Sequence, residues 1–369
     1  MADGDDKLLT LGDYRRAARG VLSPMAWRYY AAGADGEETL RDNRRAFGRW
    51  QLWPRVLVDV SERVLATTIL GTPSSMPVMI APTAYHRLAH PDGESATVRG
   101  AAAAGVIPCV ATLATTSLED AAAAAPAAPK WFQLYVHRDA GLTRDVVARA
   151  AAAGYRALVV TVDTPLLGRR LGDERHGFAL PPGMTMPNLA ASQLPTVAAG
   201  GDGSSLAKYF AERHNPAFSW RDLAALRAST TLPLVLKGIL RADDAARAVD
   251  HGCAAVVVSN HGGRQLDGVP ATIDALPGVV DAVAGRCEVL VDGGVRWGAD
   301  VLKALALGAR AVLLGRPILW GLAVDGEAGV RAVLELVRDE LSRAMALAGC
   351  RSVAEIERDL VRRRDPMLR

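Results

Sequence analysis

The run SNHGGRQLDG contains the residues best suited to chemistry, His261 and Arg264. A histidine titrates near neutral pH and can act as a general base, and the arginine three residues later carries a charge that would hold an anion beside it. The glycine pair between them lets the backbone turn tightly. A structural histidine held by loop hydrogen bonds is the alternative. The run predicts a base next to an anion-binding arginine.

Two glycine-containing segments, DGGVRWG and LLGRP, have the pattern of a phosphate site. In each, glycines lie between an apolar run and a segment with helical spacing. Backbone N–H groups and a helix N-terminus favour a dianion there, and Arg296 and Arg316 would neutralise its charge. Tight turns with exposed arginines are the alternative. Together the two segments predict that a phosphate group binds here.

Lys237 ends an apolar run, where an unpaired ammonium group would be costly. We therefore place it in the site, paired with an anion or an electron-rich ring. A Schiff-base lysine is the alternative, but His261, the arginines and a separate phosphate site suit a bound cofactor better. Asp163, which ends another apolar run, is suited to orient and stabilise a charged imidazole.

Eight short apolar runs recur along the chain, each followed by an Ala-rich segment with helical spacing. They cover residues 77–82, 106–112, 131–136, 157–163, 232–238, 254–260, 287–294 and 309–317. Continuously apolar strands are buried on both faces, and helices between them require a parallel sheet. The pattern predicts an α/β fold, a (β/α)8 TIM barrel, with an open doubly wound sheet as the alternative. A barrel would carry its catalytic side chains where the strands end.

The chain is expected to form a single domain. Its predicted parts are an N-terminal helical extension over 1–75, a barrel over 76–350 with an insertion at about 183–218, and a C-terminal tail over 351–369. Within the extension, Ser23 is a cap residue and Pro24 suits a first helical position. The insertion is rich in Gly, Pro and Ser, so we consider both a mobile lid over the barrel mouth and an inert surface loop.

Composition narrows the partners. The 43 basic and 40 acidic residues are spread along the chain, so nucleic acid is not expected. The polar N-terminus and the lack of an apolar run of roughly 20 residues argue against export and membrane insertion. The cysteines lack CxxC spacing and indicate a reducing cytoplasm, and no metal-ligand pattern is present. These are Cys109, Cys253, Cys287 and Cys350. We expect structural or surface roles for the remaining histidines, which are His86, His90, His137, His176, His214 and His251.

Taken together, these segments resemble the FMN-dependent 2-hydroxy acid oxidase and dehydrogenase family. The resemblance runs from about Tyr14 to about Ser352. Its most specific stretches are YYAAGADGEETLRDNRRAF, MIAPTA, WFQLYV, TVDTPLLGRR, VLKG, VSNHGGRQLDGVPAT and VDGGVRWGADVLKALALGARAVLLGRP. It implies bound FMN, a small 2-hydroxy acid as substrate and a homotetramer or larger assembly.

The resemblance also implies roles for individual residues. His261 would be the base, with Asp163 as its partner and Tyr135 as a further catalytic residue. The substrate-binding residues would be Tyr29, Tyr135, Arg170, His261 and Arg264. The FMN-binding residues would be Pro82, Thr83, Ala84, Ala111, Gln133, Thr161, Lys237, Ser259, Asp292, Gly293, Gly294, Arg296, Gly315 and Arg316.

Some positions depart from the glycolate oxidase pattern of that family. Ala111 replaces a serine near the flavin, so only its backbone could contribute. Leu113 replaces an aromatic residue that narrows the pocket, and Tyr85 replaces a methionine. The stretch APTAYHRLAHPDGE is most similar to hydroxymandelate oxidase. These differences favour a substrate larger than glycolate, with aryl acids such as mandelate among the candidates.

The predicted reaction is oxidation of an (S)-2-hydroxy acid to the 2-oxo acid, with oxygen as acceptor and hydrogen peroxide as product. Ala84 favours an oxidase, because some dehydrogenases of the family have glycine there. The alternatives are a soluble dehydrogenase with another acceptor, an FMN-using barrel isomerase and a non-catalytic binding protein. Both a carbanion route and a hydride route are compatible with these residues.

Overall fold

The described part of the chain begins with helices that precede the central sheet in sequence. A computed structural model describes residues 7–189 and 205–364. The first helices are α1 (Leu11–Val21), α2 (Pro24–Ala31) and α3 (Glu38–Arg45). The Ser23 hydroxyl accepts a hydrogen bond from the Ala26 N–H at 3.2 Å, and Pro24 occupies the first turn. Helix α2 therefore starts as the sequence predicts.

A β-hairpin covers the end of the sheet where its strands begin. The strands after α3 are β1 (Trp50–Leu52), β2 (Thr67–Ile69) and β3 (Thr72–Ser74), and β2 pairs antiparallel with β3. Leu70 and Gly71 make the turn with φ of 46° and 71°, a geometry that matches strand twist. Ile69 is fully buried against the barrel interior. The extension therefore contains strands as well as the expected helices, because this apolar end needs a cover.

Eight parallel strands within the described residues form one closed sheet. They are β4 (Val78–Ile80), β5 (Cys109–Ala111), β6 (Trp131–Leu134), β7 (Leu158–Thr161), β8 (Leu234–Ile239), β9 (Ala255–Val258), β10 (Glu288–Asp292) and β11 (Ala311–Leu314). Each strand from β5 to β10 pairs with the next, and β11 pairs with β4. The Ile80 N–H donates to the Ile107 carbonyl oxygen at 3.1 Å, which joins β4 to the β5 side. The predicted (β/α)8 barrel is confirmed.

The barrel strands are buried on both faces, as the apolar runs predicted. Met79, Trp131 and Val159 belong to the cluster inside the barrel, whereas Phe132 and Val160 pack toward the helices. Most strands are shorter than the predicted runs, because the last residues of most runs leave the sheet as loops, although β8 extends one residue past its run. These loops carry most of the polar residues singled out by the sequence, so the C-terminal ends of the strands form the functional end of the barrel.

Helices surround the barrel. They are α4 (Gly93–Ala103), α5 (Leu118–Ala123), α6 (Ala140–Ala152), α7 (Leu171–His176), α8 (Ser205–Arg213), α9 (Trp220–Ala228), α10 (Ala242–Asp250), α11 (Thr272–Val283), α12 (Gly298–Ala306) and α13 (Arg316–Ala348). Helix α13 is kinked where Asp325 and Gly326 leave helical geometry. Among the described helices, none is both long enough and apolar enough to cross a membrane.

The C-terminal segment returns to the N-terminal one. Strand β12 (Val361–Arg363) pairs antiparallel with β1, with Gln51 opposite Arg362. The centre of the predicted insertion, residues 190–204, lies outside the described residues, so the lid remains a prediction. From the described part of the insertion, Leu206 and Phe210 of α8 line the cavity at the functional end.

A pair of buried amides anchors α3 to the loop after β9. The Asn43 side-chain N–H donates to the Asn260 amide oxygen, and Asn260 donates back to Asn43, both at 2.8 Å. The Asn43 oxygen also accepts from the Thr272 N–H at 3.3 Å. Both asparagines are buried, so each amide satisfies the other where water cannot. This contact fixes the extension against the loop that carries His261.

We expect Asn43→Ala to destabilise the protein, because it leaves the buried Asn260 amide without its partner. The free energy of unfolding should fall by roughly 1–3 kcal/mol, measured as a lower urea midpoint. Arg45→Ala changes an exposed residue of the same helix and should shift stability by less than about 0.5 kcal/mol. Equal midpoints for the two variants would contradict an anchoring role for the amide pair.

Candidate active site

One cavity of about 1130 Å³, which includes its open mouth, lies at the C-terminal ends of the barrel strands. Most of the predicted site residues line it. These are Tyr29, Pro82, Thr83, Ala84, Ala111, Gln133, Tyr135, Thr161, Arg170, Lys237, His261, Arg264, Asp292, Gly293, Gly294, Arg296, Gly315 and Arg316. The other two predicted residues, Asp163 and Ser259, are hydrogen-bonded to His261 and Lys237 from behind.

His261 and Asp163 form an oriented pair. The His261 Nδ1 lies 3.0 Å from the Asp163 Oδ1, so the ring presents its Nε2 away from the carboxylate. Burial lowers the pKa of His261, and the Asp163 charge opposes this shift. Gly238 makes the approach possible, because a Cβ there would lie 2.6 Å from the Asp163 Cβ. A neutral imidazole held in one tautomer is the form that can accept a proton.

Arg170 is a buried cation whose hydrogen bonds are incomplete within the described part of the chain. Its side chain is 5% exposed, and neither Nε nor Nη1 has a partner among the described residues. The nearest carboxylate oxygen, Asp173 Oδ2, is 4.0 Å from Nη1 and is itself unpartnered. Burial raises the pKa of Asp173. Unsatisfied guanidinium donors are expensive, so the site is built to receive an anion here.

Arg264 lies across from Arg170 and is held by backbone. Its Nη1 donates to the carbonyl oxygens of Tyr29 and Ala32, each at 2.7 Å. Burial, together with repulsion from Arg170, lowers the pKa of Arg264 to about 10, which leaves it charged at neutral pH. The Tyr29 ring lies 5.0 Å from the Arg264 guanidinium carbon and 5.9 Å from that of Arg170. Both guanidinium groups therefore lie near the Tyr29 ring.

Aromatic rings wall the same end of the cavity. The Tyr29 ring stacks on Phe178 with centroids 4.3 Å apart and lies 5.4 Å from the Tyr85 ring. Tyr135 packs edge-on against Phe210 at 5.2 Å. Burial, followed by the Asp163 charge, raises the pKa of Tyr135, so its phenol stays protonated and can donate a hydrogen bond. The cavity thus combines a cationic pole with apolar walls.

Lys237 is deeply buried but paired. Its Nζ lies 3.0 Å from the Asp292 Oδ2 and donates to the Ser259 hydroxyl at 2.9 Å. The Asp292 charge opposes desolvation, and the pKa of Lys237 is raised. On the neighbouring strands, the Gln133 amide N–H donates to the Thr161 hydroxyl at 3.0 Å. These contacts place an ammonium group and amide dipoles on the cavity floor.

The cavity lining also has the features of a dianion site. Gly293 and Gly294 have φ of 94° and 86°, and a Cβ on Gly294 would overlap the Asn43 carbonyl oxygen. Arg316 begins α13 directly after Gly315, so a helix N-terminus borders the cavity. Burial lowers the pKa of Arg296 to about 10 and also lowers that of Arg316, with repulsion between the two adding to the shift of Arg316.

The other predicted helix N-terminus is satisfied within the protein. The Asp300 Oδ2 accepts from the N–H groups of Arg296 and Trp297 at 2.9 and 3.1 Å, and the Glu340 Oε2 accepts from Gly298 at 2.8 Å. The α12 N-terminus is therefore capped by carboxylates. We conclude that the start of α13 is the better of the two helix ends for an anion.

Comparison with known proteins identifies the family. The sequence profile of FMN-dependent dehydrogenases matches residues 18–363. The chain belongs to the FMN-dependent dehydrogenase family. Human 2-hydroxyacid oxidase 1 is 51% identical over 359 residues, which cover 97% of each chain. An L-lactate oxidase from Nostoc sp. is 53% identical over 352 residues, covering 95% of this chain and 96% of the relative.

A solved structure of mandelate oxidase with (S)-4-hydroxymandelic acid is also similar to this chain. Its TM-score is 0.91 at 48% identity, covering 95% of this chain and 98% of the other. FMN fits the charges of the cavity. Its phosphate would compensate Arg296 and Arg316 beside the α13 N-terminus, and Lys237 would lie on the cavity floor near the ring system.

The sequence analysis missed several residues at the site. Tyr30 lines the cavity and donates from its hydroxyl to the Tyr85 carbonyl oxygen at 2.6 Å. Phe210 lines the cavity, and Phe178 stacks on the Tyr29 ring. The pair YY in α2 was a usable hint, but the two phenylalanines lie in segments without periodicity, so only the tertiary structure reveals them.

The histidines outside the pair with Asp163 include two that are enclosed by the fold. His86 and His137 are buried and hydrogen-bonded, and the pKa of His137 is lowered to about 4 by burial. Within residues 7–189 and 205–364, no group of His, Cys, Asp and Glu side chains could hold a metal ion. All the cysteines are free thiols, and Cys109, Cys253 and Cys350 are buried.

We expect Asp163→Asn to lower the pKa of His261 further, because the carboxylate is the main influence that raises it. NMR titration of the imidazole in cofactor-free protein measures the change. Asp173→Asn is the matched control, since Asp173 neighbours Arg170 and not His261. An unchanged or higher His261 pKa in the Asp163 variant would show that the pair does not interact as the geometry indicates.

Proposed function

We propose that the protein oxidises an (S)-2-hydroxy acid to the 2-oxo acid with FMN, and passes the electrons to oxygen to give hydrogen peroxide. One observation carries this proposal: the oriented His261–Asp163 pair borders the same cavity as the buried guanidinium of Arg170, whose Nε and Nη1 have no hydrogen-bond partner in the described ranges. A base and a carboxylate-binding cation side by side are what a 2-hydroxy acid requires. The oxidase names of the relatives support oxygen as acceptor.

The substrate carboxylate would bind between Arg170 and Arg264. Arg170 offers Nε and Nη1, two buried donors that have no hydrogen-bond partner among the described residues, to a carboxylate. Arg264 adds charge while its own position is held by α2 carbonyl groups. The hydroxyls of Tyr29 and Tyr135 would then hold the substrate hydroxyl and carboxylate. Two fixed contacts on one end of a small molecule orient its α-carbon.

His261 would act as the base. With Nδ1–H donating to Asp163, the Nε2 lone pair is free to take a proton from the bound acid. The proton comes from the α-carbon or from the hydroxyl, and in both cases the resulting imidazolium faces the Asp163 carboxylate. FMN, when bound, supplies the acceptor for two electrons. Lys237 offers positive charge on the cavity floor to a cofactor that gains negative charge.

Cofactor binding is assigned to the floor and the phosphate end. Thr83, Gln133 and Thr161 offer polar side chains to the ring, and Pro82, Ala84 and Ala111 offer backbone and a flat apolar surface. Ser259 and Asp292 act through Lys237, to which both are bound. The phosphate end comprises Gly293, Gly294, Arg296, Gly315 and Arg316.

We propose an aryl or long-chain side group on the substrate. Leu113 lines the cavity with a branched aliphatic side chain, and Leu206 and Phe210 of α8 add further apolar surface. Burial of a phenyl group against them would contribute about 25 cal/mol for each Å² removed from water. The similarity to mandelate oxidase supports the same choice.

We further propose a cytoplasmic homotetramer. Free thiols suit a reducing compartment, and family resemblance supports the assembly. Leu166 and Leu266, which are 69% and 72% exposed, offer apolar surface for subunit contacts. Light scattering on the holoenzyme tests the assembly, and a monomeric mass would exclude it.

The decisive test is anaerobic mixing of the FMN-loaded protein with glycolate, lactate, mandelate and longer 2-hydroxy acids. At least one acid should bleach the flavin absorbance, and readmitted oxygen should restore it with one peroxide formed per turnover. Bleaching without peroxide would indicate a dehydrogenase with another acceptor. A flavin that no 2-hydroxy acid bleaches would overturn the proposal.

Replacement of the base should separate chemistry from cofactor binding. We expect His261→Asn to slow flavin reduction by about 10²- to 10⁴-fold while FMN remains bound, because no phosphate contact is lost. Stopped-flow absorbance measures the rate, and the absorbance ratio of flavin to protein gives the FMN content. Reduction at the wild-type rate would remove His261 from the proposed role.

Substrate size should depend on Leu113. We expect Leu113→Trp to lower kcat/KM for mandelate relative to glycolate by at least about 10-fold, since the larger ring fills the space of the phenyl group. Leu113→Met conserves volume and serves as the control. A parallel loss for both substrates would mean that Leu113 does not face the substrate side group.

A further inference from the structure

A buried hydrogen-bond chain runs outward from the cavity through His86. The Thr83 Oγ1, on the cavity lining, lies 2.6 Å from the His86 Nε2. The His86 Nδ1 in turn lies 2.8 Å from the Thr97 Oγ1 in α4. His86 and Thr97 are 4% and 3% exposed, so water does not compete for these bonds. The proposed mechanism makes no use of His86.

The surroundings of His86 fix the direction of the chain. The Thr97 hydroxyl donates to the Gly93 carbonyl oxygen one helical turn back, at 3.4 Å, which leaves its lone pairs for the His86 Nδ1–H. Burial lowers the pKa of His86 against the opposing influence of Glu94 and the Thr83 carbonyl. A neutral ring protonated at Nδ1 has an acceptor at Nε2. In this tautomer the Thr83 hydroxyl donates to the His86 Nε2.

Glu94 fixes the backbone of His86 and accepts no hydrogen bond from its imidazole ring. Its Oε1 accepts from the His86 backbone N–H at 3.1 Å, and both carboxylate oxygens accept from the Thr115 hydroxyl. Tyr85, the residue before His86, has a φ of 64°, which turns the chain into the short helix His86–Leu88. The ring is therefore positioned by backbone and carboxylate together.

We propose that His86 is a positioning residue for the cofactor: it draws the hydroxyl proton of Thr83 away from the cavity, so that Thr83 presents lone pairs to bound FMN. Thr83 then accepts hydrogen bonds from an N–H of the ring system and does not donate to its carbonyl groups. The inference rests on the placement of Thr83 in the FMN cavity. His86 would thereby determine whether the Thr83 hydroxyl accepts a hydrogen bond from FMN or donates one to it.

A double-mutant cycle tests the inference. FMN affinity is measured by quenching of flavin fluorescence on titration into cofactor-free Thr83→Val, His86→Leu and the double variant. Each single change should weaken binding by about 2- to 10-fold, and His86→Leu should add nothing in the Thr83→Val background. His86→Gln restores an acceptor and should recover most of the affinity. Thr143→Val removes a buried threonine hydroxyl remote from the cavity, which binds the His137 N–H, and should leave affinity unchanged.

Nitrogen NMR of the cofactor-free protein provides an independent measurement. It should show His86 protonated at Nδ1, and Thr97→Val should shift the tautomer, which keeps the proposal testable if His86→Leu does not fold. Additive losses in the cycle, or a ring protonated at Nε2 in the wild type, would overturn the inference. A protein that takes up no FMN would instead overturn the proposed function, while the tautomer would still be measured.

Discussion

Burial of guanidinium groups in excess of carboxylates is the constraint on which the site depends. Arg170, Arg264, Arg296 and Arg316 all line one cavity. Desolvation and mutual repulsion lower the pKa of Arg264 and Arg316, and a cation without a counter-charge opposes folding. Burying these guanidinium groups has an unfavourable free energy. The barrel tolerates it because its closed sheet, which is buried on both faces, holds the guanidinium groups apart. Two anions, a phosphate and a carboxylate, are the natural complement.

Part of the compensation comes from a helix end. The last carbonyl groups of α2 have no partners within the helix and carry its negative dipole. Arg264 donates to the carbonyl oxygens of Tyr29 and Ala32, and Arg316 donates to those of Tyr30 and Ala32. The N-terminal extension is therefore part of the electrostatics of the site and not only a cover. This explains why the buried Asn43–Asn260 pair ties the extension to the loop of His261.

The sequence predicts the frame of the site better than its walls. Apolar runs located all eight strands, and the polar residues at their ends met in one cavity because a parallel barrel brings those ends together. The position of α2 followed only from family resemblance, since periodicity does not say where an amphipathic helix docks. Phe178 came from an irregular segment, and the link between His86 and Thr83 depends on side-chain directions that no spacing encodes.

The two anion sites are coupled through Arg264, which repels both Arg170 and Arg316. A dianion at the start of α13 would offset the positive charge there. The electrostatic repulsion between the arginines would then be lower before any substrate binds. The positive charge of Arg170 would remain, and its electrostatic effect weakens with distance. Its Nε and Nη1 have no hydrogen-bond partners among the described residues. A bound phosphate would thus stabilise the fold, whereas a carboxylate would meet these Arg170 donors. The binding free energy of the contact between the carboxylate and Arg170 would then serve to orient the substrate toward His261.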